Sequence, residues 1–164
     1  KGRRIEELEQ FALNDSMTGF YNRNAYDYFI YNEKNIKNYM VVTFDLNNLK
    51  MCNDNYGHSS GDAYIIHSAH IIETTFDRFG KCYRIGGDEF CCLIPDAAEF
   101  QIERFIQKMQ QDIAILNNKN IIPTEVGIAC GYALATPDDA DIEKVRERAD
   151  EMMYHNKKVL KGLI

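Results

Sequence analysis

Apolar residues at Ile65, Ala69, Ile72, Phe76 and Phe79 recur at spacings of four, three, four and three, the stripe of a helix with one buried face. Ile102, Phe105, Ile106, Met109, Ile113 and Leu116 predict a second long helix, begun by Asp96 and stopped at Asn117-Asn118. Ile142, Val145, Ala149 and Met152 predict a third, opened by Thr136-Pro137-Asp138. Asn22 caps a shorter helix reaching about Tyr31. Ile5, Leu8 and Ala12 share one face of an amphipathic lead-in helix over residues 1–13, which Asn14-Asp15-Ser16 breaks. Between these lie strand-like runs: Tyr39–Asp45, Cys82–Ile85, Phe90–Ile94 and Val126–Ala133.

From residue 14 to 164 the core order is therefore β-α-β-β-α-β with a final helix, in one domain. That is an α+β, ferredoxin-like arrangement, in which helices are expected to cover one face of an antiparallel sheet. The first strand and the central hairpin are neighbours in this topology. Asp45, at the end of that strand, then approaches the hairpin turn.

The turn changes the picture from fold to chemistry. In Tyr83-Arg84-Ile85-Gly86-Gly87-Asp88-Glu89-Phe90, two glycines and two adjacent carboxylates sit between apolar runs, so Gly86-Gly87 is expected to supply the hairpin turn. Asp88 and Glu89 repel each other unless a proton or cation intervenes, and with Asp45 they would suit Mg²⁺ or Mn²⁺ shared with substrate phosphates. The same residues also read as a solvated acidic turn.

Composition bounds the partners. The chain has 164 residues, is 45% hydrophobic and carries a net charge of −6, enough chain for a core and the wrong sign for non-specific nucleic-acid binding. Lys157-Lys158 and Lys161 form a local basic cluster that could meet phosphate. Five cysteines without a Cys-x-x-Cys pair argue against disulfides and structural zinc and fit a reducing cytosol. No apolar run reaches membrane-spanning length, so no membrane contact by this fragment is expected. The abrupt start at Lys1-Gly2-Arg3-Arg4 is read as the edge of a piece with an input domain upstream, in a parent that could be membrane-anchored.

The signature Arg84-Ile85-Gly86-Gly87-Asp88-Glu89-Phe90 resembles that of GGDEF-domain diguanylate cyclases, whose fold is akin to a polymerase palm and to class III nucleotidyl cyclases. Asp15-Ser16-Met17-Thr18-Gly19-Phe20-Tyr21-Asn22-Arg23 resembles the family's lead-in motif. Phe44-Asp45-Leu46-Asn47-Asn48-Leu49-Lys50-Met51-Cys52-Asn53-Asp54, followed by Tyr56-Gly57-His58 and Gly61-Asp62, resembles its metal-and-phosphate strand and loop. Ala149-Asp150-Glu151-Met152-Met153-Tyr154 and Lys157 resemble its closing helix. Several motifs in the right order, from about Asp15 to Lys161, carry far more weight than any one alone.

The resemblance implies condensation of two GTP into cyclic di-GMP and two pyrophosphates by a homodimer of half-sites. Asp45, Asp88, Glu89 and the Leu46 carbonyl would hold metal, with Asp88 helping to deprotonate the ribose 3′-hydroxyl. Gly86 and Gly87 would leave room for the triphosphate. Lys50, Lys157 and Lys161 would neutralise phosphates, beside the backbone N–H groups at the start of the Asn47 to Lys50 segment. Asn53 and Asp62 would read guanine, whose adjacent N1–H and amine donors match a carboxylate. For the lysines a solvated charged face, and for Asp62 a helix cap, are the plainer alternatives.

The sequence departs from the family pattern in places. Asp45-Leu46-Asn47 stands for the usual Asp-x-Asp, Asn48 and Leu49 are unusual, and Leu160-Lys161 replaces Gly-Arg, which removes a planar bidentate fork. The family's Arg-x-x-Asp product-inhibition site is Asp77-Arg78-Phe79-Gly80 here, so feedback through it is not expected. A catalytically weak GTP-binding regulatory module is the competing reading. An RNA-binding domain of similar topology is disfavoured by charge and by strands that lack stacking aromatics.

Overall fold

Residues 12–162 are described by a computed structural model of the chain. The expected lead-in helix lies outside the described residues except for Ala12 and Leu13, which are helical. In chain order the elements are α1 (Arg23–Asn32), β1 (Met40–Leu46), α2 (Leu49–Tyr56), α3 (His58–Phe76), β2 (Lys81–Arg84), β3 (Glu89–Ile94), α4 (Ile102–Asn118), β4 (Ile128–Leu134) and α5 (Ile142–Leu160). The strands form one antiparallel sheet in the order β2-β3-β1-β4.

Strand alternation sends even-numbered β1 residues to one face and odd-numbered ones to the other. Val42, Phe44 and Leu46, with Phe90 and Cys92 of β3, bury against Ile65, Ile72 and Phe76 of α3 and Met109 of α4. Fully burying each large side chain contributes about 1.5–3 kcal/mol, and Phe44 and Phe76 meet with ring centroids 5.5 Å apart. On the opposite face Val41, Cys91 and Ala133 pack with Tyr26 of α1 and Ile142, Val145 and Ala149 of α5. The expectation of helices on one face is therefore corrected: α1 and α5 form a second layer, because Val41 of β1 with Cys91, Leu93 and Ala133 of its neighbours makes the other face of the sheet apolar as well, and that face needs its own cover.

Gly131 lets α5 lie close. A Cβ there would stand 2.2 Å from the Ala149 carbonyl oxygen and 2.3 Å from the Met153 nitrogen. Side chains of α5 also finish the outer edge of β4, where Asn156 Nδ2 donates to the Cys130 carbonyl at 2.7 Å and Met152 Sδ faces the Tyr132 amide at 3.5 Å. The outer edge of β2 is met by Tyr21, whose amide donates to the Cys82 carbonyl at 3.2 Å and whose carbonyl accepts from Arg84 at 2.7 Å.

Boundaries differ from the sequence expectation where turn chemistry intervenes. The fourth helix starts at Ile102, since Asp96 adopts φ 50° in a turn. Asp141 caps α5 by accepting from the Lys144 amide, while Thr136 and Asp139 close a separate turn upstream. The stripe ending at Phe79 leaves the helix after Phe76, and residues 77–80 turn into β2. Asn22 does cap α1, accepting from the Ala25 amide at 3.0 Å. All five cysteines are free and buried, with Cys82 and Cys92 facing each other across β2 and β3 at 3.6 Å between sulfurs.

Candidate active site

β1 and β3 pair so that Asp45 stands directly opposite Glu89, which puts both side chains on the sheet face covered by α5. The hairpin loop is fastened beside them, as the Leu46 amide donates to the Asp88 carbonyl at 3.0 Å. Asp45, Asp88 and Glu89 thus gather at one end of the sheet.

Charge is balanced from α5. Lys157 Nζ lies 2.9 Å from Asp45 Oδ2, in a pair whose side chains are only 23% and 13% exposed. The other oxygen of Asp45, Oδ1, is buried without a hydrogen-bond partner. Burial raises the Asp45 carboxyl above its ordinary range, Asp88 adds to the rise, and Lys157 opposes it. Partial desolvation and the neighbouring Asp45 and Asp88 raise Glu89 as well. Asp150 of α5, half-buried, is raised by burial against the pull of Arg146. Sequence reasoning gave Asp150 no role, and the spacing along α5, one turn after Arg146 and two turns before Lys157, was the available signal.

The turn itself needs no glycine for its backbone. Neither Gly86 nor Gly87 has positive φ, and a Cβ at Gly87 would meet nothing within 4 Å. The pair does lie at the centre of the hairpin turn, as expected, in a loop that runs from Ile85 to Asp88 and closes through the Ile85 and Gly86 amides on the Glu89 carbonyl. The space above Gly87 is open to a ligand.

After Asp45 the chain bends sharply. Asn48 takes φ 60°, a left-handed conformation that Asn tolerates better than most residues, and starts α2 without a side-chain cap. Its first-turn amides retain the unpaired donors of any helix start, a setting that favours anions. The sequence missed α2 as a helix, treating its start as a short segment. Asn47 is 6% exposed and its Oδ1 has no partner.

Other expected residues surround this centre. Lys50 is exposed on the first turn of α2. Asn53, half-buried later in α2, sits on Gly61 so closely that a Cβ there would fall 1.7 Å from Asn53 Oδ1. Asp62 is exposed in the first turns of α3, and Lys161 is exposed at the C-cap of α5. The structure brings Asp45, Asp88, Glu89 and Lys157 together, and leaves Lys50, Asp62 and Lys161 on the surface.

Among the described residues no three His, Cys, Asp or Glu side chains form a ready metal cluster. A Mg²⁺-type site does not need one, because that ion takes one or two carboxylates and completes its shell with water and phosphate. The unpartnered Oδ1 of Asp45 and the crowding of like charges fit such an ion.

A second connection ties the site to the lead-in turn. Arg84 Nη1 lies 3.2 Å from both carboxylate oxygens of Asp15, while Nη2 donates to the Gly87 carbonyl at 2.8 Å. Asp15 also accepts from the Thr18 amide at 2.9 Å and hydroxyl at 2.7 Å. Burial works to raise Asp15, but Thr18 and Arg84 together hold it below the ordinary carboxylate range.

Comparison with known proteins adds to this geometry. The family described as "Diguanylate cyclase, GGDEF domain" matches residues 12–161. The chain is 31% identical over 157 residues to diguanylate cyclase DgcN of Escherichia coli, covering 92% of this chain and 38% of that protein. It is 27% identical over 161 residues to diguanylate cyclase DgcS of Shewanella oneidensis, covering 93% and 52%. The solved coiled coil and GGDEF domain of DgcB from Caulobacter crescentus, in complex with c-di-GMP, superposes with a TM-score of 0.83 at 22% identity, over 95% of this chain and 86% of that one. That last likeness is one of fold.

Proposed function

The chain belongs to the GGDEF diguanylate cyclase family, and from that premise we propose that it condenses two GTP into cyclic di-GMP and two pyrophosphates. The observation that carries this reading is the register placing Asp45 opposite Glu89, with Asp88 fastened beside them through the Leu46 amide.

Each domain binds one GTP with its triphosphate over Gly87. The α2 amides, Lys50 and Lys161 take up phosphate charge, and Lys157 turns from Asp45 to join them. Asn53 and Asp62 hydrogen-bond the guanine edge. Asp88 draws the proton from the ribose 3′-hydroxyl, whose oxygen forms a bond to the α-phosphorus of the GTP held by the facing domain. The bond to the β-phosphate breaks and pyrophosphate leaves. Mg²⁺ or Mn²⁺ held by Asp45, Asp88 and the Leu46 carbonyl, with Glu89 in support, would supply positive charge to offset the negative charge that builds on the phosphate oxygens as pyrophosphate leaves.

The second bond requires the reciprocal attack, so two domains must face each other with their sites opposed, an isologous homodimer. The reaction fits a cytoplasmic setting where GTP is available, with an upstream input domain governing the encounter. Among the described residues no helix is long and apolar enough to cross a membrane.

Product detection by mass spectrometry after incubation with GTP and Mg²⁺, beside Asp88→Ala, tests the proposal. Cyclic di-GMP formed by the unmodified protein and lost in the variant is the expected result. No product, even with the lead-in fused to a dimerising coiled coil, would leave a GTP-binding regulatory module as the better account.

A further inference from the structure

We infer that Tyr64, a buried phenol with no part in the family motifs, is a positioning residue that fixes the phosphate-binding bend of this chain from inside the core. The inference rests on the nucleotide reading above. Tyr64 lies on α3, fully buried, and its hydroxyl reaches across to two separate segments of the site. It donates to the Asn47 carbonyl at 2.6 Å and accepts from the Gly127 amide at 2.9 Å, with the Gly127 carbonyl at 3.1 Å as an alternative acceptor. The Asn47 amide in turn donates to the Gly127 carbonyl at 2.8 Å. Four polar groups thus close a small ring around a single oxygen.

That ring lies at the mechanical root of the phosphate cradle. Asn47 joins the metal-binding end of β1 to the left-handed Asn48, and the orientation of the Asn47 peptide sets where α2 begins and where its first amides and Lys50 point. Asn48 has no side-chain bond of its own to hold this bend. Gly127 completes the fit, since a Cβ there would press to 3.3 Å from Asn47 Nδ2. Burial raises the phenol to about 12, so the hydroxyl keeps the proton it donates at neutral pH. Phenylalanine would fill the same volume and leave the Asn47 carbonyl and Gly127 amide without that partner, in a place water cannot readily replace it.

The test compares Tyr64→Phe with Tyr132→Phe, which removes a hydrogen-bonded phenol on the exposed Glu103 away from the carboxylates. Binding of a fluorescent GTP analogue, steady-state kinetics and amide hydrogen exchange are measured on each. Tyr64→Phe is expected to weaken nucleotide binding and raise KM about tenfold, the scale of one buried hydrogen bond, with kcat within about twofold. Exchange should quicken at Asn47 to Met51 but not along the middle of α3. Unchanged affinity, or a loss confined to kcat, or exchange that rises equally throughout the domain, would overturn the inference. If the unmodified protein binds no GTP, the nucleotide reading fails, and the exchange comparison still decides whether Tyr64 holds the bend.

Discussion

Arg84 grips Asp15 across 69 residues of sequence while its second nitrogen holds the Gly87 carbonyl. The segment that leads into the domain and the loop that bears Asp88 therefore share one guanidinium. Movement of the lead-in turn cannot leave the acidic loop untouched, because both pull on a side chain with little freedom to follow either alone.

Replacing Asp15 by Ala leaves Arg84 partly buried with its charge unmatched. A loss of about 2–3 kcal/mol in urea unfolding is expected, the scale of breaking a partly buried pair from one side. Arg84→Lys should recover part of the stability but less of the product yield, since lysine cannot span Asp15 and Gly87 together.

Asp88→Asn should stabilise the metal-free fold while abolishing product formation. Relief of repulsion with Asp45 and Glu89 is expected to add about 0.5–1 kcal/mol at neutral pH in EDTA. An unchanged or lower urea midpoint would contradict the crowding described for these carboxylates.

The same crowding gives a pH dependence. Asp45, Glu89 and Asp150 are raised in the fold, so their contribution to stability is full below the unfolded carboxyl value, about 4, and is lost as pH rises through their folded values. Asp15 and Glu143 are lowered and act in the opposite sense, losing their contribution as pH falls through their folded values. Removing metal with EDTA should therefore expose a decline in melting temperature from mildly acidic to neutral pH. Saturating Mn²⁺ should flatten it, and Asp15→Asn should leave that decline in place.

Lys157 competes with any cation for Asp45. Lys157→Met is expected to bind Mn²⁺ about fivefold more tightly in the absence of nucleotide, by paramagnetic resonance titration, and to bind GTP more weakly. Weaker Mn²⁺ binding would show that the lysine does not stand in the ion's way.

Gly61→Ala should fold, because the atom it displaces ends the movable Asn53 side chain, yet swinging that amide aside costs the proposed guanine contact. GTP affinity is expected to fall about tenfold, roughly one charge-assisted or buried hydrogen bond, with discrimination against ATP reduced. Calorimetric titration with both nucleotides measures it.

The sheet order and the meeting of Asp45 with Asp88 were legible because strand alternation and the hairpin signature are local patterns with a period. α2 was not, since Leu49–Tyr56 carries mixed polarity and starts from a left-handed Asn48 with no capping signal. The second layer under α5 was hidden because Thr43 and Asp45 make one face of β1 read as polar, although that face is covered too. Lys157 was assigned to phosphate, and its contact with Asp45 spans 112 residues that no spacing argument connects. Tyr64 went unnoticed because a tyrosine next to the Ile65, Ala69 and Ile72 stripe reads as packing until its hydroxyl is placed.

Both outer strands have backbone groups already engaged, β4 by Asn156 and Met152 and β2 by Tyr21. A sheet finished in this way offers a poor template for a neighbouring chain to add a strand. Encounters between copies are thereby steered away from ribbon-like stacking and toward meetings of loops and helix ends. Copies of this domain can then be crowded together, as the proposed two-copy reaction requires, without polymerising through their edges.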